Sequence, residues 1–144
     1  MDQLDVNMIR LLQLDGRISI SELSKKLALS RPSVSERLKR LQEQGIIEGF
    51  SALVPPAAVG KKLLIMIELS ELRVSQYEFE KVITNEPNVI ECHRATGHVH
   101  YYIKAALKGT DELTRLIEKL IPYGSTKTSI LLATPVVKHV VLPN

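Results

Sequence analysis

Cysteine is nearly absent. A single residue, Cys92, cannot close an intrachain disulfide, so no covalent staple is expected, as suits a reducing cytosol. Long apolar runs are absent as well. None approaches the roughly 18 to 20 residues that a membrane helix needs. The opening "MDQLDVNMIR" carries acid where a secretory leader needs base, which speaks against export. Catalytic signatures are missing too: no phosphate-cradling glycine loop, no nucleophile elbow and no zinc-protease motif. Cys92 and His93 are sequence neighbours on an expected strand, so they point to opposite faces and make a poor catalytic pair. The expectation is therefore no enzyme, no catalytic residue, no metal site and no membrane. What remains is 144 residues with 44% hydrophobic content, enough for one ordinary domain or two small ones with a modest core.

Acid is scarce in one place. Residues 1–62 hold 10 Lys and Arg against 7 Asp and Glu, while 63–144 hold 9 of each. The net +3 of the chain thus lies in its first half. Within 25–40 stand Lys25, Lys26, Arg31, Arg37, Lys39 and Arg40 against a single acid, Glu36. Such a cluster is either a solvated helix face or the footprint of a polyanion contact.

The local pattern narrows that choice. Leu4, Met8, Ile9, Leu11 and Leu12 recur at helical spacing over 3–14, and Gly16 is free to supply a left-handed cap. "SISE" at 19–22 is a capping box that opens a short helix ending near Leu27. Ser30 can cap a third helix, with Pro32 tolerated in its first turn, and Gly45 stops it near 44. Three short helices, the last two joined by the tight turn "ALS", form a helix-turn-helix arrangement. In the third helix Val34, Leu38 and Leu41 share a narrow apolar arc. The remaining positions offer short donors near the N-terminus and long bases further along. That arrangement fits a helix end placed in a major groove with bases reaching phosphates. Arg37 lies at the core edge and either holds a phosphate or pairs with an acid of a neighbouring helix. Glu36 can pair with Arg40 at i,i+4.

"IIEGFSALV" (46–54) reads as a strand, which gives the first domain, 1–54, a winged-helix-like character. "PPAAVG" marks a linker, 55–62. The second domain, 63–144, alternates in type. Strands are expected at 63–69, 88–96, 99–107 and 128–137, and helices at 75–85 (Phe79, Val82 and Ile83 inward) and 110–121. The order β-α-β-β-α-β is a ferredoxin-like plait, and the whole is of the α+β class. Both helices of such a plait cover one sheet face, so the strands should alternate. Residues 63–67 are instead all apolar. Both faces then need cover, and a second copy of the same sheet is the simplest one. A dimer is expected.

The stretches "LDVNMIRLLQLDGRISISELSKKLALS", "VSERLKRLQEQGIIEGFSALVPPAAVG" and "VIECHRATGHVHYYIKA" resemble the Lrp/AsnC family, the leucine-responsive and asparagine-synthesis regulators. The resemblance covers the whole chain. It implies a bacterial or archaeal transcription regulator, cytoplasmic and nucleoid-associated, with double-stranded DNA as partner. It also implies dimers through the C-terminal (RAM) domain, often octamers built as tetramers of dimers, and often an amino acid bound between subunits. By position it makes Arg31, Ser33, Ser35, Arg37, Lys39 and Arg40 the DNA contacts. Ser33 and Ser35 would stand near base edges, and Lys39 and Arg40 would mostly hold phosphates. An architectural factor that wraps or bends DNA with weak sequence preference is the alternative.

After the turn glycine the family carries two acids, one residue apart, suited to an ammonium group. Here the stretch is Gly97, His98, Val99, His100. A neutral imidazole is a poor ammonium partner and a protonated one repels it. Thr126 and Thr128 still match hydroxyls that the family places near its ligand. The candidate effector residues are thus Gly97, His98, His100, Thr126 and Thr128. The leading expectation is a pocket that no longer answers to amino acids. A carboxylate or phosphate effector, a metal and an ordinary amino-acid effector stand as alternatives. No cofactor is expected.

Overall fold

The computed structural model describes residues 1–143. It divides into two compact units, Met1–Leu53 together with the segment from Val136, and Val54–Pro135.

The first unit is built on three helices: α1 (Gln3–Leu14), α2 (Ile20–Leu27) and α3 (Arg31–Glu43). Each begins where a side chain satisfies an orphan backbone donor. Ser19 Oγ accepts from Glu22 N at 3.1 Å and Glu22 returns a carboxylate to Ser19 N at 3.2 Å. Ser30 Oγ accepts from Ser33 N. Each such cap contributes about 1 kcal/mol. Between α2 and α3 the chain turns on Ala28, which adopts a left-handed conformation at φ 53°. Gly45, at φ +69°, ends α3 as expected. Gly16 takes no left-handed cap; α1 ends on Asp15, in extended backbone, with its amide returning to Leu11 O. Met8, Ile9, Leu12, Leu23, Leu27, Val34 and Leu41 form the core.

Two larger features of this unit also differ from the sequence reading. No strand forms over 46–54: Ile46 and Ile47 both donate back to Leu41 O, and the rest finds no partner strand within the unit. The segment from Val136, read as part of the second domain, packs with this unit. Gln13 grips it as a strand would, donating to Val141 O at 2.7 Å and accepting from Val141 N at 3.0 Å. Leu142 joins the core.

The second unit contains β1 (Leu63–Ser70), α4 (Gln76–Thr84), β2 (Val89–Arg94), β3 (Val99–Leu107), α5 (Thr110–Leu120) and β4 (Ser125–Ile130). The order β-α-β-β-α-β is the one expected. The four strands form an antiparallel sheet in the order β2-β3-β1-β4. Ile65, Ile67, Leu69, Tyr101 and Ile103 on one face pack against Phe79 and Ile83 of α4 and Leu116 and Leu120 of α5. Val82 points outward rather than into this core. β4 starts three residues earlier than the expected 128 and stops at Ile130. Its entrance is fixed by Gly124, where a Cβ would meet Ser70 O at 2.5 Å.

The other face of the sheet has two characters. The register sets Ala106 against Leu64, and Lys104 and Ser129 against Met66. It sets His93 against Tyr102, and Tyr102 and Lys127 against Glu68. One end of the face is therefore apolar and the other polar, and no helix of the unit packs on it.

Candidate nucleic-acid interface

Helical spacing sorts the polar residues of α3 into two rows flanking its buried Val34 and Leu41. Ser33, Arg37 and Arg40, at i, i+4 and i+7, lie along one flank. Arg31, Ser35 and Lys39, at i, i+4 and i+8, lie along the other.

The first row is occupied. Ser33 Oγ lies 2.8 Å from Ser30 Oγ, within the helix cap. Arg37 Nη1 donates to Asp2 at 2.7 Å and to Asp5 at 2.8 Å. Arg40 Nη2 donates to both oxygens of Asp5 at 3.0 Å. Asp5 is 1% exposed, the one buried charged side chain among the described residues. A carboxylate in such a place must be paired, and it is. Asp2 and Asp5 also form a reciprocal capping box at the start of α1, with bonds of 2.9 and 3.0 Å. Burial pushes the Asp5 carboxyl up, but the Asp2 amide and Arg37 outweigh it, and the net shift is downward. The Asp5 amide and then Arg37 hold Asp2 below its ordinary value. Asp2 and then Asp5 raise Arg37. Of the two alternatives left open for Arg37, the pair with acids of a neighbouring helix is the one present in the structure. Arg40 pairs with Asp5, not with Glu36, and the i,i+4 pair on this helix is Lys39 with Glu43.

The second row is open. Arg31, Ser35 and Lys39 are exposed. Lys39 has only the loose 3.6 Å approach to Glu43 and keeps 77% of its side chain in solvent. Lys25 and Lys26, at the exposed end of α2, stand outside the expected contact set although they belong to the same basic cluster. The acids that organise α3 were missed by sequence reasoning. Their signal was the Asp2-x-x-Asp5 spacing ahead of an apolar helix, which is a capping box in form.

The candidate effector residues are spread over the β2–β3 turn, β3 and β4. Gly97, at φ +101°, turns the chain between β2 and β3. His98 lies in that turn and is exposed, so it does not share a strand face with His100 as a two-residue spacing on a strand would require. His100 is the extra residue of a bulge opposite Leu69 and Ser70, and its Nδ1 is buried without a hydrogen-bond partner. Arg94, opposite Tyr101, reaches Gln76 and Glu80 of α4, so Tyr101 faces the helices. His100 bonds through its carbonyl to Ala95 N. Thr126 and Thr128 lie opposite Leu69 and Ile67, on the helix side. β1 separates the histidine, on β3, from the threonines, on β4. Burial pushes the Cys92 thiol up, which disfavours the thiolate a metal would need. Among the described residues no three His, Cys, Asp or Glu side chains gather as a metal would require. No helix among them is long and apolar enough to cross a membrane.

Comparison with known proteins places this geometry. Residues 1–48 match the family model described as winged helix-turn-helix DNA-binding. Residues 62–141 match the Lrp/AsnC ligand binding domain. The HTH-type transcriptional regulator LrpC of Bacillus subtilis is 31% identical over 131 residues, 91% of each chain. The leucine-responsive regulatory protein of Escherichia coli is 33% identical over 120 residues, 81% of this chain and 73% of that one. The solved structure of B. subtilis LrpC superposes with a TM-score of 0.90 at 30% identity, covering 96% of this chain and 99% of the other. A transcriptional regulator of Neisseria meningitidis, solved as an L-Met complex, gives 0.88 at 25% identity, covering 100% and 96%. A helix-turn-helix model match followed by a ligand-binding domain match, together with a relative at 31% identity over 91% of each chain, makes the chain a DNA-binding transcription regulator of the Lrp/AsnC family.

Proposed function

We propose that the protein reads duplex DNA with α3, and that the row Arg31, Ser35 and Lys39 makes the contacts. The observation that carries this reading is that these three side chains are exposed and uncommitted while the opposite row is engaged inside the protein. Arg31 and Lys39 suit phosphates, which add affinity and salt sensitivity. Ser35 suits a base edge. Arg40 retains N–H groups beyond its bond to Asp5 and is half exposed, so it serves as a secondary phosphate contact. Ser33 is a cap and Arg37 a pin. Such a partner keeps the protein with the nucleoid in the cytoplasm.

The assembly is a dimer in which the apolar end of the free sheet face, with Leu64 and Met66, meets the same surface of a second copy; octamers assemble from such dimers. The histidines at 98 and 100 replace the acids that would hold an ammonium group, so free amino acids leave DNA affinity unchanged. A thermal-shift screen against the twenty amino acids tests this, since a ligand that binds only the folded state raises the melting temperature. No shift is expected. A shift with one amino acid would overturn the effector reading. The DNA reading is tested on mixed-sequence and selected duplexes. Ser35→Ala should change the preference between sites more than overall affinity, and equal losses on both duplexes would refute a base contact there.

A further inference from the structure

We propose that Asp2 and Asp5 are specificity-determining positioning residues: they withdraw the Arg37 charge from DNA and leave the opposite row of α3 to carry the phosphate attraction. The inference rests on α3 being the reading helix.

The geometry divides one basic helix into a masked half and an open half. Arg37 is only 22% exposed at its side chain, and Nη1 is shared between two carboxylates. The carboxylate of Asp5 meets two guanidiniums and the Asp2 amide. Two acids therefore face two arginines, and the local charge sums to zero. Along the other flank Arg31 makes no ion pair among the described residues, and Lys39 has only its long approach to Glu43.

Masking matters because phosphate attraction is indifferent to sequence. Each phosphate neutralised by a free base steepens the salt dependence of binding and strengthens all duplexes alike. A regulator that displayed every base of α3 would gain affinity for random DNA without gaining choice. Holding Arg37 in an internal pair lets the helix keep a cation that fastens α3 to α1. The same pair denies that cation to the backbone of any duplex. Asp2 is half exposed, so its removal unmasks charge without opening the core.

The experiment measures the slope of log affinity against log salt for a mixed-sequence duplex of about 30 base pairs, using the full chain and Lys39→Ala, Arg37→Gln and Asp2→Asn. Lys39→Ala should flatten the slope by roughly one unit. Arg37→Gln should leave it unchanged, even where the variant is less stable. Asp2→Asn should tighten binding to mixed-sequence DNA several-fold at low salt and steepen the slope. A purely structural role for the acid would instead weaken binding. Flattening by Arg37→Gln equal to that of Lys39→Ala would overturn the masking while leaving α3 as the reading helix. Failure of Lys39→Ala itself to flatten the slope would overturn the reading of α3 and the masking with it. Should Arg37→Gln fail to fold, Asp2→Asn decides alone: looser binding or an unchanged slope overturns the proposal.

Discussion

The two units solve opposite problems with opposite chemistry. The sheet unit buries almost nothing that is charged: its core is Ile, Leu and Ala around Phe79 and Tyr101, whose ring centroids lie 4.6 Å apart. Its one polar tip, the Tyr101 hydroxyl, donates to Glu80 at 2.9 Å, and burial with that carboxylate pushes its pKa up to about 12. The helical unit has a smaller apolar core and buries a carboxylate in it, held by two arginines of its basic helix. Apolar burial stabilises without direction. An ion cluster gives less net stability, but it fixes which side chains face outward. The unit that meets a polyanion is the unit that fastens itself with charge.

The contrast can be broken at each end. The largest effect is expected from Phe79→Ala, which removes a wholly buried ring from the sheet core and should cost about 3–5 kcal/mol. Chemical denaturation checks it. Asp5→Ala should cost less, on the order of 2 kcal/mol, because both arginines it strands reach solvent; the same titration reads it.

Acid sharpens the distinction. Asp2 and Asp5 have folded-state pKa values below their ordinary ones. Their contribution is therefore complete above the ordinary aspartate value of about 4 and is lost as pH falls through the depressed folded values. The gap in melting temperature between the parent chain and Asp5→Asn should be widest near pH 7 and close toward pH 2. A gap that stays constant would mean the carboxylate charge is not what stabilises. Leu64→Glu should leave each unit folded and convert dimers to monomers in sedimentation equilibrium. Dimers that persist would remove the apolar end of the sheet from the interface. The smallest effect is expected from Gln13→Ala, about 1 kcal/mol for the paired bonds to Val141, seen as faster amide exchange near Val141.

Much of this was legible in the sequence. Ser19, Ser30 and Gly45 act where short-range rules place them, because capping depends on neighbours within one turn. The order of strands and helices along the second unit followed from apolar periodicity and from glycine and proline punctuation. Local rules also missed at Gly16 and Val82, but the larger failures are of long range. The strand over 46–54 has the right composition, but pairing depends on a partner segment that the unit lacks. The attachment of the tail to Gln13 spans 128 residues, beyond any local pattern. The masking of Arg37 depends on two acids more than thirty residues away. A row of bases on a helical projection looks uniform until the neighbouring helix is known.

The most direct test of the reading helix attaches an iron chelate to the thiol of Ser35→Cys, in a Cys92→Ala background, and maps cleavage of bound duplex DNA. An Arg10→Cys variant, on the exposed side of α1, serves as the comparison. Cleavage centred in one groove from position 35, and little or none from position 10, is the predicted result. Cleavage from position 10 with none from position 35 would contradict the account.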